Sequence, residues 1–328
     1  MTIDWPRFVE LVRAHQSFLL VSHIRPDCDA LGSELGMAGV LEALGKQVRI
    51  VNGMATPPNL AFIDPDKRIR TVNVDITPAE ALAGVDCIMI LDTSAWQQIG
   101  PMTDVIKSAT CTKCVVDHHQ GEDDLGAILF KNTQAEAAGR LVFEAAEALG
   151  VKLTPAIATA LFAAIATDTG WFRFGSAGSG TYRIGASLID AGAKPAAIYN
   201  ELYERDTLGR VRLRGLILSR TRAELGGRLV HTYVVNQDFT DTGAVPPDTE
   251  DAINLTLGIA GTEFAVIMVE QAKGGFKISF RSRCAVDCSK LAAQFGGGGH
   301  KAAAGAFLAG NLEEVQRTIL DAVRSAMP

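Results

Sequence analysis

Short apolar runs alternate with longer helical patterns over the first two thirds of the chain, and this alternation constrains the fold more than any other feature. Residues 17–22 (SFLLVS) predict a buried strand, and residues 31–44 follow with leucine and alanine at helical spacing before Gly45. The runs at 86–91 and 113–116 predict two more buried strands. Strands separated by helices build βαβ units, so we expect an N-terminal α/β domain with a doubly wound parallel sheet.

The sequence changes character near residue 193. Arginine and leucine without strand alternation then predict a helical segment, and strand-like runs dominate beyond Gly226. At roughly 100–200 residues per domain, the 328 residues suffice for two domains. We therefore predict an N-terminal domain over 1–192, a helical connector over 193–225 and a smaller α/β domain with a mixed sheet over 226–328.

The charge balance limits what the protein can bind. Lysine and arginine number 31 against 37 aspartates and glutamates, a net charge of −6, so no overall positive field would hold long nucleic acid. An anionic ligand would have to be short and bound locally. The 6 cysteines are too sparse for a disulfide scaffold, and we see neither a signal-like leader nor a membrane-length apolar run. We expect a cytoplasmic protein with no membrane contact.

Acidic and histidine side chains follow three predicted strands and end one predicted helix. They are His23, Asp27 and Asp29 after the first strand, Asp92 after the second, Asp117, His118 and His119 after the third, and Asp168 at the helix end. The carboxyl ends of parallel strands converge on one crevice. Converging carboxylates repel one another unless cations neutralise them, and mixed His and Asp ligation suits Mn²⁺ better than Ca²⁺. The sequence therefore predicts two divalent cations and phosphoester hydrolysis.

Each of these residues taken singly has an ordinary structural explanation. Asp27 or Asp29 would serve as an N-cap for the following helix, and an aspartate after a strand is common in α/β proteins. Histidine and aspartate are poor core residues, however, so Asp117, His118 and His119 in succession after a buried strand have no packing role. The conjunction favours the metal site.

Four motifs in this order, SHIRPDCDALGS, ILDTS, VVDHH and ATDTGWFRF, resemble those of the DHH phosphoesterase superfamily. The segment GGGGHKAAAG resembles the substrate-binding motif of its DHHA1 C-terminal domain, and the length and this tail resemble the NrnA-like group. The resemblance implies exonuclease action on very short oligonucleotides and removal of phosphate from 3′-phosphoadenosine 5′-phosphate (pAp). It also implies two divalent cations, Mn²⁺ before Mg²⁺ or Co²⁺, and is compatible with a homodimer.

The resemblance implies a role for each side chain. The implied ligands are His23 and Asp27 for the first cation, Asp29, His118 and Asp168 for the second, and Asp92 as the bridge. His119 would stand beside the phosphate as a transition-state stabiliser or acid, and Asp117 would orient the histidines. Two positions depart from the family pattern. Ser22 stands where Asp is common, and Cys28 stands where Gly is usual, so a soft thiolate could alter the metal preference.

A second set of residues predicts substrate binding in the C-terminal domain. These residues are Arg281, Arg283, Gly297, Gly298, Gly299 and His300. The two arginines alternate on a predicted strand and would face the same side, where paired guanidinium groups suit a phosphate. The glycine run would let backbone N–H groups approach an anion, with the histidine as a further donor. The match to the family motif favours this interpretation over a linker and a solvated strand.

Several alternatives stay open at this point. A soluble relative could hydrolyse cyclic dinucleotides or their linear products, and a nucleotide sensor would keep the fold without the activity. Loss of ligands would mark a sensor, and none of the expected ligand positions is lost. A nicotinamide dehydrogenase fails because no GxGxxG follows the first strand. Trp171, Phe172 and Phe174 are equally compatible with base stacking and with core packing.

Overall fold

The computed structural model describes residues 3–250 and 252–327. The chain divides into two compact units, the first ending at Arg205 and the second beginning at Asp206. The predicted connector thus contributes one helix to each unit, and the predicted domain bounds stay a prediction. Among the described residues, no helix has both the length and the apolar character needed to cross a membrane.

The first unit is a parallel six-stranded sheet with helices on both faces. Its strands are β1 (Ser17–Val21), β2 (Gln47–Asn52), β3 (Ile69–Thr71), β4 (Cys87–Leu91), β5 (Thr112–Asp117) and β6 (Ile128–Lys131). Its helices are α1 (Trp5–Ala14), α2 (Cys28–Ala43), α3 (Pro78–Leu82), α4 (Trp96–Ile99), α5 (Met102–Ser108), α6 (Ala138–Leu149), α7 (Pro155–Asp168), α8 (Ser179–Asp190) and α9 (Pro195–Tyr203). The strand order is β3-β2-β1-β4-β5-β6, and every pairing is parallel, as the sequence predicts.

Burial on both faces explains why these strands are almost continuously apolar. Phe18 and Leu20 pack into one hydrophobic core with α2, α6 and α7, whereas Leu19 and Val21 pack into a second core on the opposite face. All five residues of β4 are buried. Because β1 and β4 are neighbours from which the sheet continues in opposite directions, a crevice opens outside their carboxyl ends.

Small residues allow α2 and α7 to pack closely and antiparallel. A Cβ on Gly32 would lie 2.4 Å from the Ala160 carbonyl oxygen, and a Cβ on Gly36 would lie 2.4 Å from the Leu161 side chain. Asp29 stands in the first turn of α2, and Asp168 is the last residue of α7. The close packing therefore brings these two carboxylates to the same end of the helix pair.

The second unit contains a mixed six-stranded sheet, as predicted. Its strands are β7 (Arg222–Glu224), β8 (Leu229–Val234), β9 (Phe264–Glu270), β10 (Phe276–Ser282), β11 (Gly298–Gly299) and β12 (Ala303–Leu308), in the order β11-β12-β10-β9-β8-β7. Its helices are α10 (Leu208–Ser219), α11 (Asn236–Thr242), α12 (Ala252–Leu257), α13 (Cys288–Ala293) and α14 (Leu312–Ala326). Only the β8–β9 pairing is parallel among these strands. One face packs on α13 and α14, and the other packs on α10 and α12.

Candidate metal centre

Six side chains converge outside the carboxyl ends of β1, β4 and β5. They are His23 after β1, Asp27 and Asp29 at the start of α2, Asp92 after β4, His118 after β5, and Asp168 at the end of α7. Within the described residues they form two groups whose potential ligand atoms lie within 4.8 Å of one another: His23, Asp27 and Asp92, and Asp29, His118 and Asp168. A third group of Asp92, His118 and His119 overlaps both. The crevice thus gathers the residues that the sequence singles out.

Asp92 stands between the two groups. Its Oδ2 lies 3.3 Å from Nε2 of His23, and its Oδ1 lies 3.3 Å from Nε2 of His118. The side chain is 2% exposed, and its Oδ1, which also lies 3.6 Å from Nδ1 of His119, makes no hydrogen bond of good geometry among the described residues. A buried carboxylate oxygen without a partner is costly unless a cation supplies one. The position of Asp92 therefore fits a carboxylate shared by two cations.

The remaining distances also fit cation binding. The Nε2 of His23 lies 3.8 Å from Oδ1 of Asp27. The Nε2 of His118 lies 3.6 Å from Oδ2 of both Asp29 and Asp168. Two ligands of one cation, each bonded at about 2.1 Å, lie about 3 to 3.5 Å apart. The observed separations are close to that range.

Backbone carbonyls orient both histidines toward these carboxylates. The Nδ1 of His23 lies 2.9 Å from the Ile24 oxygen, and Nδ1 of His118 lies 3.1 Å from the Ala135 oxygen. A carbonyl oxygen only accepts, so the hydrogen is assigned to Nδ1 in each ring. Each Nε2 then offers its lone pair to the centre, as second-shell hydrogen bonds commonly arrange for metal-binding histidines.

Burial, and with it mutual repulsion, makes ionisation of two of these carboxylates unfavourable. Burial, together with the charges of Asp92 and Asp168, holds the pKa of Asp29 well above its usual range. Burial also raises the pKa of Asp168 to about 6, with the charge of His118 opposing this shift and that of Asp92 adding to it. These raised pKa values are the expected signature of carboxylates that converge without counter-ions.

In His23 and His118, contacts with carboxylates outweigh burial and raise the pKa values. Burial alone would lower the pKa of His23, but its contact with Asp92 outweighs burial and raises the pKa to about 9. Burial likewise opposes protonation of His118, and its contacts with Asp92 and Asp29 raise its pKa to about 10. Without a metal ion, protons therefore occupy the positions where cations would bind, and a bound cation would displace them.

Asp27 and Asp29 also have the structural roles that each would have singly. Asp27 is the N-cap of α2, where its Oδ1 accepts from the Ala30 N–H at 3.0 Å. Asp29 caps a different helix, because its two oxygens accept from the N–H groups of Ala138 and Gly139 at 2.7 and 2.8 Å at the start of α6. Capping fixes these carboxylates in place and leaves further lone pairs for a cation.

Cys28 stands between two predicted ligands in the sequence, where a thiolate could alter the metal preference. It is buried in the first turn of α2, and burial raises the pKa of its thiol to about 12. Burial and the neighbouring charges of Asp27 and Asp29 therefore disfavour a thiolate at this position, and its influence on the metal preference stays a prediction.

His119 and Asp117 lie next to the cluster. Asp117 is fully buried, and its Oδ1 accepts from the His119 backbone N–H at 3.1 Å and faces Nδ1 of the same ring at 2.9 Å. Burial alone would raise the pKa of Asp117, but hydrogen bonds from His119 and Ser94 hold it well below its usual range. The ring of His119 is 46% exposed. It borders an open cavity of about 400 Å³ together with His23, Arg25, Asp27, Gln97 and Gln98.

Two residues that contact Asp117 are absent from the site predicted from the sequence. Ser94 and Lys131 both contact Asp117, at 2.7 Å and 3.2 Å respectively. Ser94 belongs to the motif ILDTS, so its position two residues after Asp92 was a usable signal. Lys131 ends a strand outside every motif, and no sequence pattern marks it.

The structure changes the interpretation of the two arginines. Arg281 lies in β10, but that strand ends at Ser282, so Arg283 lies outside it. The guanidinium of Arg283 donates to the carbonyl oxygen of Leu257 at 2.7 Å. The expectation that both arginines lie on one strand is therefore wrong by one residue, although the backbone N–H of Arg283 still donates to the Glu263 oxygen at 2.7 Å.

The glycine run forms part of a hairpin instead of an open loop. Gly298 and Gly299 are β11 and pair with β12, and the N–H of His300 donates to the Ala303 oxygen at 2.7 Å. The N–H of Gly297 donates to the Ala292 oxygen at 2.9 Å. A Cβ on Gly297 or Gly299 would lie within 2.6 Å of a β12 carbonyl oxygen. The glycines thus permit close approach to β12, and the amides of Gly297 and His300 are not free for an anion. The His300 side chain is exposed.

The aromatic residues after Asp168 divide between core packing and an exposed position that base stacking would need. Trp171 and Phe172 are half-buried and pack against the core of the first unit, next to Phe162. Phe174 is 53% exposed. Core packing accounts for the first two residues, and Phe174 is the one whose ring is open to solvent.

Comparison with known proteins places the chain in a family. Residues 17–165 match the DHH family N-terminal domain, and residues 226–327 match the DHHA1 domain. Over 311 residues the chain is 30% identical to the bifunctional oligoribonuclease and PAP phosphatase NrnA of Thermus thermophilus, covering 94% of this chain and 89% of that protein. The chain belongs to the DHH family.

Other similarities agree with membership of the DHH family. The Bacillus subtilis protein of the same name is 26% identical over 318 residues, which cover 95% of this chain and 96% of that one. A crystal structure of an exopolyphosphatase-related protein from Bacteroides fragilis superposes with a TM-score of 0.89 at 26% identity, covering 98% of this chain and 95% of the other. The resemblance inferred from the sequence motifs is thus confirmed.

Proposed function

We propose that this protein is a two-metal phosphohydrolase that degrades short oligonucleotides, removes phosphate from pAp, or does both. The observation that carries the proposal is the placement of Asp92, which directs one carboxylate oxygen to each of two ligand groups. The relatives named oligoribonuclease and PAP phosphatase support the choice of substrates. The net charge of −6 agrees with a short substrate.

The donor set suits two divalent cations. His23 and Asp27 would hold one cation, Asp29, His118 and Asp168 would hold the other, and Asp92 would bridge them. Imidazole nitrogen mixed with carboxylate oxygen favours Mn²⁺, with Mg²⁺ and Co²⁺ as the alternatives. When bound, such a pair of cations activates water for attack and neutralises charge on the phosphoryl oxygens.

The protein's own residues would complete the site. The hydrogen bond that Nδ1 donates to Asp117 raises the pKa of His119 and so favours the protonated ring. The Nε2–H of that imidazolium would donate a proton to the leaving oxygen or a hydrogen bond to the phosphoryl group. Arg25 lines the cavity beside His119 and would attract the substrate phosphate. In the second unit, we propose that Arg281, Arg283 and His300 bind the substrate, with the glycine run Gly297 to Gly299 shaping the hairpin that carries His300.

A substrate panel tests this function. The purified protein is assayed with Mn²⁺, Mg²⁺ or Co²⁺ against a ribodinucleotide, pAp, a cyclic dinucleotide, pyrophosphate and a long single strand. We expect hydrolysis of the dinucleotide, pAp or both, fastest with Mn²⁺, and little cleavage of the long strand. Preferential hydrolysis of the cyclic dinucleotide or pyrophosphate would overturn the proposed substrate class. No hydrolysis with any metal would favour a nucleotide sensor.

A further inference from the structure

The ammonium group of Lys131 lies beside Asp117, on the side of that carboxylate away from His119. The residue ends β6, and its side chain is 10% exposed. Its Nζ donates to Ser94 Oγ at 2.6 Å and to the carbonyl oxygen of Gly121, and it lies 3.2 Å from Oδ2 of Asp117. Oε2 of Glu122, an exposed carboxylate, lies 3.7 Å from the same Nζ. The three closer oxygens match the three N–H donors of an ammonium group, so the Lys131 charge is directed at Ser94, Gly121 and Asp117.

These contacts continue through Asp117 to His119. The Ser94 hydroxyl accepts from Lys131 and donates to Oδ2 of Asp117 at 2.7 Å. The other oxygen, Oδ1, faces Nδ1 of His119 at 2.9 Å. Because a carboxylate only accepts, the hydrogen belongs on Nδ1, and Nε2 becomes the reactive nitrogen of the ring. A continuous hydrogen-bonded chain thus runs from Lys131 to the exposed edge of His119.

The burial of Asp117 explains why a cation is needed there. Asp117 has no exposed surface, and a buried carboxylate is costly unless it is paired and hydrogen-bonded. Its ion-pair partners in the described part of the chain are His119 and Lys131. Without Lys131, the carboxylate would lose one of these partners and the Ser94 hydroxyl would lose the donor that orients it. Both losses act on the group that holds the His119 ring.

We propose that Lys131 is a positioning residue for His119, acting through Ser94 and Asp117 to fix the tautomer and orientation of the ring. The proposal rests on the role given to His119 in the proposed function. A purely structural role is the alternative, because the same contacts tie the loop after β4 and the loop after β5 to β6. The two roles differ in whether the effect of Lys131 depends on His119.

A double-mutant cycle with Lys131→Met and His119→Ala separates the two roles. Methionine keeps an unbranched, apolar side chain as far as Cε and removes the ammonium group. We expect Lys131→Met to lower kcat about 10- to 100-fold, the range found for residues that orient active-site histidines, with KM changed by less than about threefold. In the His119→Ala background the same change should alter kcat by less than about twofold. Equal losses in both backgrounds would overturn the proposal.

Lys113→Met is the matched control. Lys113 lies near the opposite end of β5, where its Nζ donates to the Ala109 oxygen at 2.7 Å. It has the same chemistry and similar burial but no contact with Asp117, so this variant should keep the kcat of the unchanged protein. A loss equal to that of Lys131→Met would point to a general loosening of the sheet and contradict the proposal.

A second measurement does not require activity. In metal-free protein with ¹⁵N-labelled histidine, His119→Ala identifies the His119 ring signals. Lys131→Met, or the milder Ser94→Ala where Lys131→Met does not fold, should shift the Nδ1 and Nε2 signals of His119. Unchanged signals would overturn the proposal. If the unchanged protein hydrolyses none of the substrates, the proposed function fails, and this spectrum still decides whether Lys131 positions the ring.

Discussion

Glu34 is a buried acid on α2 whose ionisation should cost the first unit stability. Its Oε2 accepts from the Asn52 side-chain amide at 2.8 Å, whereas its Oε1 has no hydrogen-bond partner among the described residues. Burial raises the pKa of Glu34 to about 8, with the hydrogen bond from Asn52 opposing this shift. The folded protein therefore keeps a proton that an unfolded chain releases near pH 4.5.

The sign and size of the effect follow from this difference. As the pH rises from about 4.5 to about 8, the unfolded state binds fewer protons than the folded state, so the free energy of unfolding falls. At about 1.4 kcal/mol per pKa unit, the expected loss is about 3 to 5 kcal/mol. Glu34→Gln has no proton to release. Its amide can still accept from Asn52 and donate toward Ser22, so the variant should match the unchanged protein at low pH and exceed it at high pH.

Urea denaturation of metal-free protein at several pH values from about 5 to about 9 tests this prediction. All 3 tryptophans, Trp5, Trp96 and Trp171, lie in the first unit, so their fluorescence reports the unfolding of that unit alone. Glu10→Gln, on the exposed face of α1, is the control and should run parallel to the unchanged protein. A stability difference between Glu34→Gln and the unchanged protein that does not change with pH would refute the reasoning.

Three further predictions concern the centre, the helix pair and the second unit. The two histidines with raised pKa values of about 9 and about 10 must lose protons to bind cations, and the pKa of Asp29 is raised as well. Mn²⁺ binding at neutral pH should therefore release at least two protons, measured by calorimetry in buffers of different ionisation enthalpy; no release would contradict the assignment of these ligands. Gly32→Ala should lower the free energy of unfolding by about 1 to 3 kcal/mol and weaken Mn²⁺ binding, because its Cβ would lie 2.4 Å from an α7 carbonyl. The control Gly180→Ala, where a Cβ meets nothing within 4 Å, should change stability by less than about 1 kcal/mol. Arg281→Gln should raise KM about 10-fold with little change in kcat. The control Lys277→Gln, on the same strand, should leave both constants unchanged. A large fall in kcat alone would contradict a substrate-binding role for Arg281.

The sequence predicted the convergence of the metal-centre residues because parallel-sheet topology determines it. His23, Asp92 and His118 follow strands whose carboxyl ends must lie at one edge of the sheet, so their chain positions suffice. Asp168 ends a helix, and its approach to Asp29 depends on the close packing of α2 on α7. The motifs indicated that Asp168 belongs to the set, but glycine contacts between those helices create the proximity.

The residues that the sequence did not reveal act through contacts between distant segments. Ser94 and Lys131 are 37 positions apart, and nothing in either local pattern indicates that one donates to the other. Glu34 lies in a largely buried helix and is itself buried. Amphipathic patterning would place a glutamate at the surface. Arg283 was misplaced because strand alternation does not show where a strand ends.

We propose above that Asp92 would bridge two cations held by the two ligand groups. Electron paramagnetic resonance of the protein titrated with Mn²⁺ tests it most directly, because two Mn²⁺ ions that share a carboxylate are magnetically coupled. We expect two Mn²⁺ per chain with a coupled spectrum, and loss of that coupling in Asp92→Asn. A single bound ion, or two ions with the spectrum of isolated Mn²⁺ in the unchanged protein, would contradict it.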